Sequence, residues 1–260
     1  MKRRDFLAAA SLAAIAPVNR LSRADTASSK EQLQYYELRK YILKSPEKQK
    51  LILDYLAAAE IPALNRIAIK PVGVFKMLEP DTPDLYVLLL HDSLNSVLAA
   101  SSLIDSDPQY RKDYEKLLNA PISDPAYERI NTSLLLAFEQ MPRLEIPTKA
   151  DTRIFQLRIY ESHDSIKASK KVEMFNTGGE IALFRKTDLN PVFFGRAVIG
   201  PDLPNLTYML AFDNTEQKDK CWDNFRKSPG WEKLKADPYY SDTVSKVTNI
   251  LLRPAPCSQL

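Results

Sequence analysis

Apolar and polar residues alternate along several short segments in the second half of the chain, and segments with helical spacing separate them. Such alternation, bounded by turn residues, predicts strands. Asp164 is a good N-cap for a helix reaching about Asn176, which Gly178 and Gly179 would end. The other predicted helices are 180–186, 215–225 and 231–235, and the predicted strands are 153–161, 192–200, 206–213 and 243–253. This βαββαβ order is that of the ferredoxin-like fold.

The first half of the chain repeats the same pattern. YYELRKYIL (35–43) resembles IFQLRIYES (154–162), and two further pairs of segments match at offsets of 119 to 121 residues. The first copy adds a helical insertion around 101–125. We therefore predict a first repeat at 33–142, a linker at 143–152 and a second repeat at 153–256.

A ferredoxin-like sheet carries helices on one face only, so its other face must be covered. Two copies in one chain can cover each other. We predict an α+β protein in which two tandem ferredoxin-like (βαββαβ) repeats pack sheet to sheet as an intramolecular dimeric α/β barrel.

The first strand of each repeat carries an apolar and a polar-aromatic face, because side chains alternate with a period of two. We expect Tyr36 and Leu38, like Phe155 and Leu157, to lie under the helices. The opposite faces would then meet inside the barrel, and they consist of Glu37, Arg39 and Tyr41 in one repeat and Gln156, Arg158 and Tyr160 in the other. Either these arginines pair with carboxylates and join the sheets, since a buried charge needs a partner, or they line a ligand pocket.

The first residues of the chain form a basic start followed by an apolar run of thirteen residues at 6–18, interrupted only by Ser11 and Pro17. Arg3 and Arg4 precede that run in the sequence RRDFL, which is typical of a twin-arginine signal. The run is shorter than the ~20 residues that a membrane-spanning helix needs. We therefore expect a signal peptide at 1–24, a periplasmic or secreted protein and no stable membrane insertion.

Charge and composition exclude several classes of function. Residues 1–24 hold five basic residues and one acidic residue, whereas the whole chain carries a net charge of +3, so the remainder is close to neutral. We therefore expect no nucleic-acid binding, which needs a clustered positive surface. Cys221 and Cys257 form no CxxC pattern, so we predict no metal site. Six glycines form neither a GxGxxG nor a P-loop motif.

Five segments together resemble the NIPSNAP family: YYELRKYIL, LRIYESHD, VEMFNTGGEIALFRK, NPVFFGRAVIGPDLPNLTYMLAF and SPGWEKLKADP. The likeness covers most of 33–256 and is most specific in the second repeat. The chain is similar to the family's exported bacterial members. The resemblance implies a dimeric α/β-barrel fold related to small monooxygenases and to dye-decolourising and haem-handling proteins. It implies no agreed set of catalytic residues.

Two clusters could carry chemistry in the second repeat. His163 could be the axial ligand of a haem, with Asp164 orienting its ring, or it could be a loop histidine near a helix start. Glu173, Asn176 and Glu180 are spaced to share a face and could do acid–base work, or they could cap a broken helix. Trp222 and Trp231 could form the floor of a pocket or belong to the core.

These patterns predict an exported protein that binds a small molecule in a cavity of the barrel, either between the sheets or between helices and sheet, and that has no cofactor. A cofactor-independent oxygenase or isomerase is an alternative, in which Arg39, Arg158, Tyr41 and Tyr160 would orient a substrate anion. Haem binding through His163 is another alternative, and a structural or partner-binding module with a filled barrel is a third. The sequence leaves open whether the chain forms a homo-oligomer.

Overall fold

The computed structural model describes residues 32–260. The predicted signal, with Arg3 and Arg4, lies outside the described residues. Within residues 32–260, none of the helices combines the length and the apolar character that crossing a membrane requires.

The first half of the described chain follows the predicted order of elements. Its strands are β1 Tyr35–Ile42, β2 Gly73–Glu79, β3 Leu85–His91 and β4 Arg129–Ala137. Its helices are α1 Pro46–Tyr55, α2 Ile61–Arg66, α3 Leu94–Asp105 and α4 Pro108–Leu118, and a π-helical turn at Leu56–Glu60 joins α1 to α2. Helix α4 lies in the segment predicted as a helical insertion.

The second half has the same order. Its strands are β5 Ile154–Glu161, β6 Asn190–Ile199, β7 Asn205–Phe212 and β8 Lys246–Pro254. Its helices are α5 Ser165–Phe175, α6 Glu180–Lys186, α7 Thr215–Lys227 and α8 Pro229–Lys235, followed by a 3₁₀ turn at Pro238–Tyr240. Asp164 caps α5 as predicted, because its side chain accepts a hydrogen bond from the amide of Lys167.

The eight strands form one closed barrel in the order β1-β3-β2-β8-β5-β7-β6-β4. All neighbours are antiparallel, and the two halves meet where β4 pairs with β6 and where β2 pairs with β8. Each half therefore contributes one side of the barrel. The predicted α/β-barrel fold is confirmed, whereas the division into repeats at 33–142 and 153–256 stays a prediction.

Apolar side chains from all eight strands fill the barrel interior. The cluster includes Tyr36 and Leu38 of β1 and Phe155 and Leu157 of β5, so their predicted position under the helices is wrong. Side chains just fill the interior of an eight-stranded barrel, which leaves no water to solvate charged groups. A cavity of about 400 Å³ is nevertheless lined by Leu38, Met77 and Ile250 of this cluster, and a ligand site between the sheets stays a prediction.

The polar faces of β1 and β5 point outward, toward the helices. Tyr41 belongs to a core shared with α1–α4, and Tyr160 packs against a core shared with α5–α8. Glu37, Arg39, Gln156 and Arg158 lie on the same faces because they alternate with the interior residues. Under amphipathic helices these groups can reach both ion-pair partners and open cavities.

A pair of glycines places the start of α6. Gly179 has a φ of +88°, a conformation that L side chains rarely adopt, and it is the N-cap of α6. A Cβ atom at Gly178 would lie 2.6 Å from the carbonyl oxygen of Met174. The chain therefore ends α5 tightly and begins α6 at Glu180, which turns that carboxylate toward β5.

Candidate functional site

Each half of the molecule encloses one cavity between its first strand and its helices. The cavity in the second half has a volume of about 410 Å³, and the cavity in the first half has a volume of about 660 Å³. Arg158 and Tyr160 of β5 line the smaller one, and Arg39 and Tyr41, at the same positions of β1, line the larger one. The predicted arginines and tyrosines are thus brought to cavities, but to two separate ones.

Arg158 lacks a carboxylate partner. Its Nε lies buried without a hydrogen bond, and no carboxylate among residues 32–260 forms an ion pair with it. Its guanidinium carbon lies 4.8 Å from the ring centre of Trp222 and 5.4 Å from that of Tyr160. These cation–π contacts hold the side chain in place. They leave a positively charged hydrogen-bond donor at the cavity.

The neighbouring amide of Gln156 is committed elsewhere. Its Oε1 accepts a hydrogen bond of 2.6 Å from the indole nitrogen of Trp222. Its Nε2 donates one of 2.7 Å to the side-chain oxygen of Asn249. A neutral amide at this position gives Arg158 no counter-charge, and its two hydrogen bonds fix Trp222 against the guanidinium.

A buried ion pair lies beside Arg158. Lys171 of α5 donates a hydrogen bond of 2.8 Å to Oε2 of Glu180 at the start of α6, and the two side chains are 6% and 3% exposed. Burial raises the pKa of Glu180 above its usual range, although the charges of Lys171 and Arg158 oppose that shift. A carboxylate with a raised pKa is a stronger base than one in water.

The cavity carries an excess of positive charge. Its lining includes four cations, Arg158, Lys171, Lys218 and Arg226, and two carboxylates, Glu180 and Asp219. Lys218 pairs with Asp219, and Arg226 pairs with Asp223, so the surface cations are compensated. Glu180 is shared between its ion pair with Lys171 and a longer-range attraction to Arg158, so the cavity keeps an excess of positive charge at Arg158, which favours an anionic ligand.

Arg39 has the opposite environment. Its Nε donates a hydrogen bond of 2.6 Å to Glu37, and its Nη1 donates one of 2.7 Å to Glu60. Burial would raise the pKa of Glu37, but hydrogen bonds from His91 and Arg39 lower it below its usual range. The predicted pairing of arginine with carboxylates is therefore confirmed for Arg39 but is wrong for Arg158.

The remaining predicted residues are dispersed. Glu173 accepts hydrogen bonds from the hydroxyls of Tyr239 and Tyr240, and Asn176 accepts one from the amide of Gln140. Of the three residues predicted for acid–base work, only Glu180 lines the cavity. The structural interpretation of Glu173 and Asn176 is therefore the one that their contacts favour.

His163 does not meet the needs of a haem ligand. Its side chain is 53% exposed and lies 3.3 Å from a carboxylate oxygen of Asp164. Among the described residues, no histidine lines either of the two cavities. The geometry around His163 therefore does not fit axial ligation, and haem binding stays a prediction. Residues 32–260 contain no cluster of histidine, cysteine or acidic residues that could hold a metal ion.

The sequence patterns did not single out Lys171 and Glu60 as site residues. Each lies in an apolar stripe of a helix: Lys171 precedes the buried Met174 and Phe175, and Glu60 lies among buried alanine and leucine residues. A charged residue in a buried stripe requires a partner, and this signal was present in the sequence. Trp222 and Trp231, which were predicted as pocket floor or core, both line the cavity of the second half.

Comparison with family models matches residues 155–259 to the NIPSNAP family. Comparison with curated protein sequences finds no significant match. Known structures with this fold include a candidate monooxygenase from Fusobacterium nucleatum, at 9% identity and a TM-score of 0.56, which covers 86% of this chain and 93% of its own.

A second candidate monooxygenase, from Lactobacillus acidophilus, is 13% identical with a TM-score of 0.53, and the match covers 85% of this chain and 94% of that one. An anthrone oxidase-like protein is 9% identical with a TM-score of 0.51, and the match covers 87% and 93% of the two chains. At these identities the likeness establishes the barrel fold alone.

Proposed function

We propose that the cavity within residues 155–259, which match the model of the NIPSNAP family, binds a small organic anion through Arg158. The observation that carries the proposal is the buried Nε of Arg158, a donor without a hydrogen-bond partner at an aromatic cavity. A carboxylate or another planar oxyanion would accept from the guanidinium and compensate its charge.

The cavity walls indicate what the rest of the ligand looks like. Trp222, Trp231 and Phe225 line the cavity, and Tyr160 faces it from β5. Aromatic walls favour a flat, unsaturated body that can stack on a ring. The volume of about 410 Å³ is within the usual range of small-molecule pockets. We therefore propose an aromatic or conjugated acid as the ligand class.

A direct test uses 2-naphthoate as the probe. Both tryptophans of the chain line this cavity, so intrinsic fluorescence reports binding there. We expect saturable quenching by one naphthoate per chain, and native mass spectrometry would verify the stoichiometry. Replacing Arg158 by methionine keeps the length of the side chain and removes the charge. It should weaken binding at least about tenfold, the effect expected of a charge-assisted hydrogen bond.

The matched control for this test is Arg185→Met. Arg185 pairs with Glu145 at the surface and does not line the cavity, so its loss should leave the affinity unchanged. Equal weakening by Arg158→Met and Arg185→Met, or no effect of Arg158→Met, would contradict the proposal.

A second candidate function is a cofactor-independent oxygenase or isomerase, and the observation that favours it is Glu180. Its buried carboxylate lines the cavity, and burial raises its pKa. It could therefore take a proton from an acidic C–H bond while Arg158 stabilises the resulting oxyanion. Proteins with the same fold include candidate monooxygenases and an anthrone oxidase-like protein.

Anthrone is the probe for this second candidate, because loss of one proton converts it into an aromatic oxyanion. Molecular oxygen would be the oxidant, with one anthrone and one O₂ giving one anthraquinone and one water. We expect oxygen uptake that Glu180→Gln abolishes and that Glu173→Gln, outside the cavity, leaves intact. No uptake above the uncatalysed rate would exclude anthrone oxidation.

We also propose that the protein works outside the cytoplasm, on the sequence of its first 24 residues. Replacing both Arg3 and Arg4 by lysine should keep the protein in the cytoplasm, because the exporter recognises the arginine pair. Cell fractionation measures this directly, and normal export of the double-lysine variant would contradict the proposal.

A further inference from the structure

The larger cavity, in the first half, is lined by five tyrosines. They come from β1, α1, α4 and the segment before β4, and they are Tyr41, Tyr55, Tyr110, Tyr114 and Tyr127. Tyr55, Tyr110 and Tyr114 contact one another at ring-centre distances of 5.9 to 6.4 Å, and Tyr41 meets Tyr127 edge to face at 5.8 Å. The rings therefore form two groups on the walls of one cavity.

A buried carboxylate lies in the same cavity. Glu60 lies in the π-helical turn between α1 and α2, and its side chain is 3% exposed. Its Oε1 accepts the hydrogen bond from Arg39, whereas its Oε2 accepts only a long one, 3.4 Å, from the hydroxyl of Tyr41. One oxygen of Glu60 is thus weakly bonded, and π-helical turns are frequent at functional sites.

The charge of this cavity is the reverse of that in the second half. Arg39 is shared by two carboxylates, Glu37 and Glu60, and the helix α1 presents Ile52 and Tyr55 as its buried residues instead of a lysine. Arg111, Asp105 and Glu115 at the rim add one cation and two carboxylates. His91 lies close to Glu37, with 3.3 Å between Nε2 and Oε2, and neither residue lines the cavity.

Aromatic faces with a nearby carboxylate bind ammonium groups. The electron-rich faces of tyrosine attract a cation, and recognition of methylated ammonium ions is the usual biological role of such cages. Burial also raises the pKa of Tyr41, Tyr55 and Tyr110, which keeps the phenols neutral. We propose that the cavity of the first half is a second binding site, for a small organic ammonium cation held between the tyrosine rings and Glu60.

Choline and its uncharged carbon isostere, 3,3-dimethyl-1-butanol, have nearly the same shape, so a difference in their affinities reports the contribution of the positive charge. Isothermal titration of the full protein should show one choline bound per chain and at least about tenfold weaker binding of the alcohol, since the alcohol makes no cation–π contact with the rings. Equal binding of the two probes, or no saturable binding of choline up to millimolar concentrations, would overturn the proposal.

Tyr114 provides the variant least damaging to the fold, because its side chain is 39% exposed. Tyr114→Leu should weaken choline binding at least about threefold, which corresponds to the loss of one partly exposed cation–π contact. Tyr239→Leu, at an exposed tyrosine outside the cavity, is the matched control. An unchanged affinity in Tyr114→Leu, or equal losses in both variants, would contradict the site.

Glu60→Gln tests the role of the carboxylate and should weaken choline while leaving 3,3-dimethyl-1-butanol unaffected. Circular dichroism checks that the variant remains folded, since Arg39 loses one of its partners. Naphthoate quenching in the second half provides a separate readout: it should be unchanged in Glu60→Gln and Tyr114→Leu. If Glu60→Gln loses both choline binding and naphthoate quenching, its fold is damaged and Tyr114→Leu decides the question. Undiminished choline binding in Tyr114→Leu would then reject the site.

Discussion

The difference between the two cavities depends on the third residue of one strand in each half. Glu37 of β1 gives Arg39 a second carboxylate, whereas Gln156 of β5 gives Arg158 a neutral amide that is already bonded to Trp222 and Asn249. The two side chains have almost the same size and differ by one charge. This charge acts together with Lys171, which pairs with Glu180, whereas Glu60 pairs with Arg39. The two differences decide whether the arginine is compensated within the protein or by a ligand.

Replacing Gln156 by glutamate should weaken binding at the anion site. In Gln156→Glu the new carboxylate can still accept from Trp222 and can pair with Arg158, so naphthoate binding should weaken at least about tenfold. Fluorescence titration measures the affinity. Gln140→Glu, at an exposed position, adds the same charge away from the cavity and should have no effect. An unchanged affinity in Gln156→Glu would mean that Arg158 does not hold the anion.

Replacing Glu37 by glutamine in the first half should lower the stability of the fold. Glu37→Gln removes one of the two carboxylates paired with Arg39 but leaves Glu60, so it should lower the free energy of unfolding by about 1–2 kcal/mol at neutral pH. The pKa of Glu37 is lower in the folded protein than its usual value of 4.5. Its contribution is therefore complete above that value and disappears as the pH falls through the folded pKa.

Urea unfolding of wild type and Glu37→Gln across this acidic range measures the prediction. The two free energies of unfolding should converge as the pH falls. A difference that stays constant from neutral to acidic pH would show that the charge of Glu37 is not what stabilises the fold.

At the scale of elements, the sequence predicted the strands, the N-cap of α5 at Asp164 and the break at Gly178 and Gly179. It did not predict which face of β1 and β5 points inward. Both faces of these strands carry large residues, so alternation alone cannot assign them. The closed barrel decides the question, because its interior must be filled and dry. Lys171 and Glu180 come from different helices, and their pairing required the geometry of the break between them.

The break between α5 and α6 should be sensitive to a single methyl group. Gly178→Ala would place its Cβ against the backbone of Met174 and should lower the free energy of unfolding by about 1–3 kcal/mol. Gly230→Ala is the control, because its Cβ would meet only the flexible side chain of Leu183. Equal stability of the two variants would contradict this role of the break.

At the scale of the whole molecule, one shared barrel core joins the two halves. Phe193 is fully buried in this core and lies 4.8 Å from Tyr36 of the other half, measured between ring centres. Neither half could bury these residues alone. Both cavities lie outside this shared core, so each can bind its ligand without opening the barrel. The cavity of the second half has an excess of positive charge, and that of the first half has an excess of negative charge.

Removing one side chain from the shared core should therefore destabilise the whole protein at once. Phe193→Ala should lower the free energy of unfolding by about 3–5 kcal/mol. Tryptophan fluorescence follows the second half and far-ultraviolet circular dichroism follows the whole fold, and both should give the same transition midpoint. Two separated transitions would show that the halves unfold independently.

In the proposed anion site, Arg158 recognises the charge of the ligand. The most direct measurement compares 2-naphthoate with the uncharged 2-naphthamide on wild-type protein and on Arg158→Met, by isothermal titration. We predict that wild type prefers the anion by at least about tenfold and that Arg158→Met binds both probes equally. An anion preference that persists undiminished in Arg158→Met would contradict the claim.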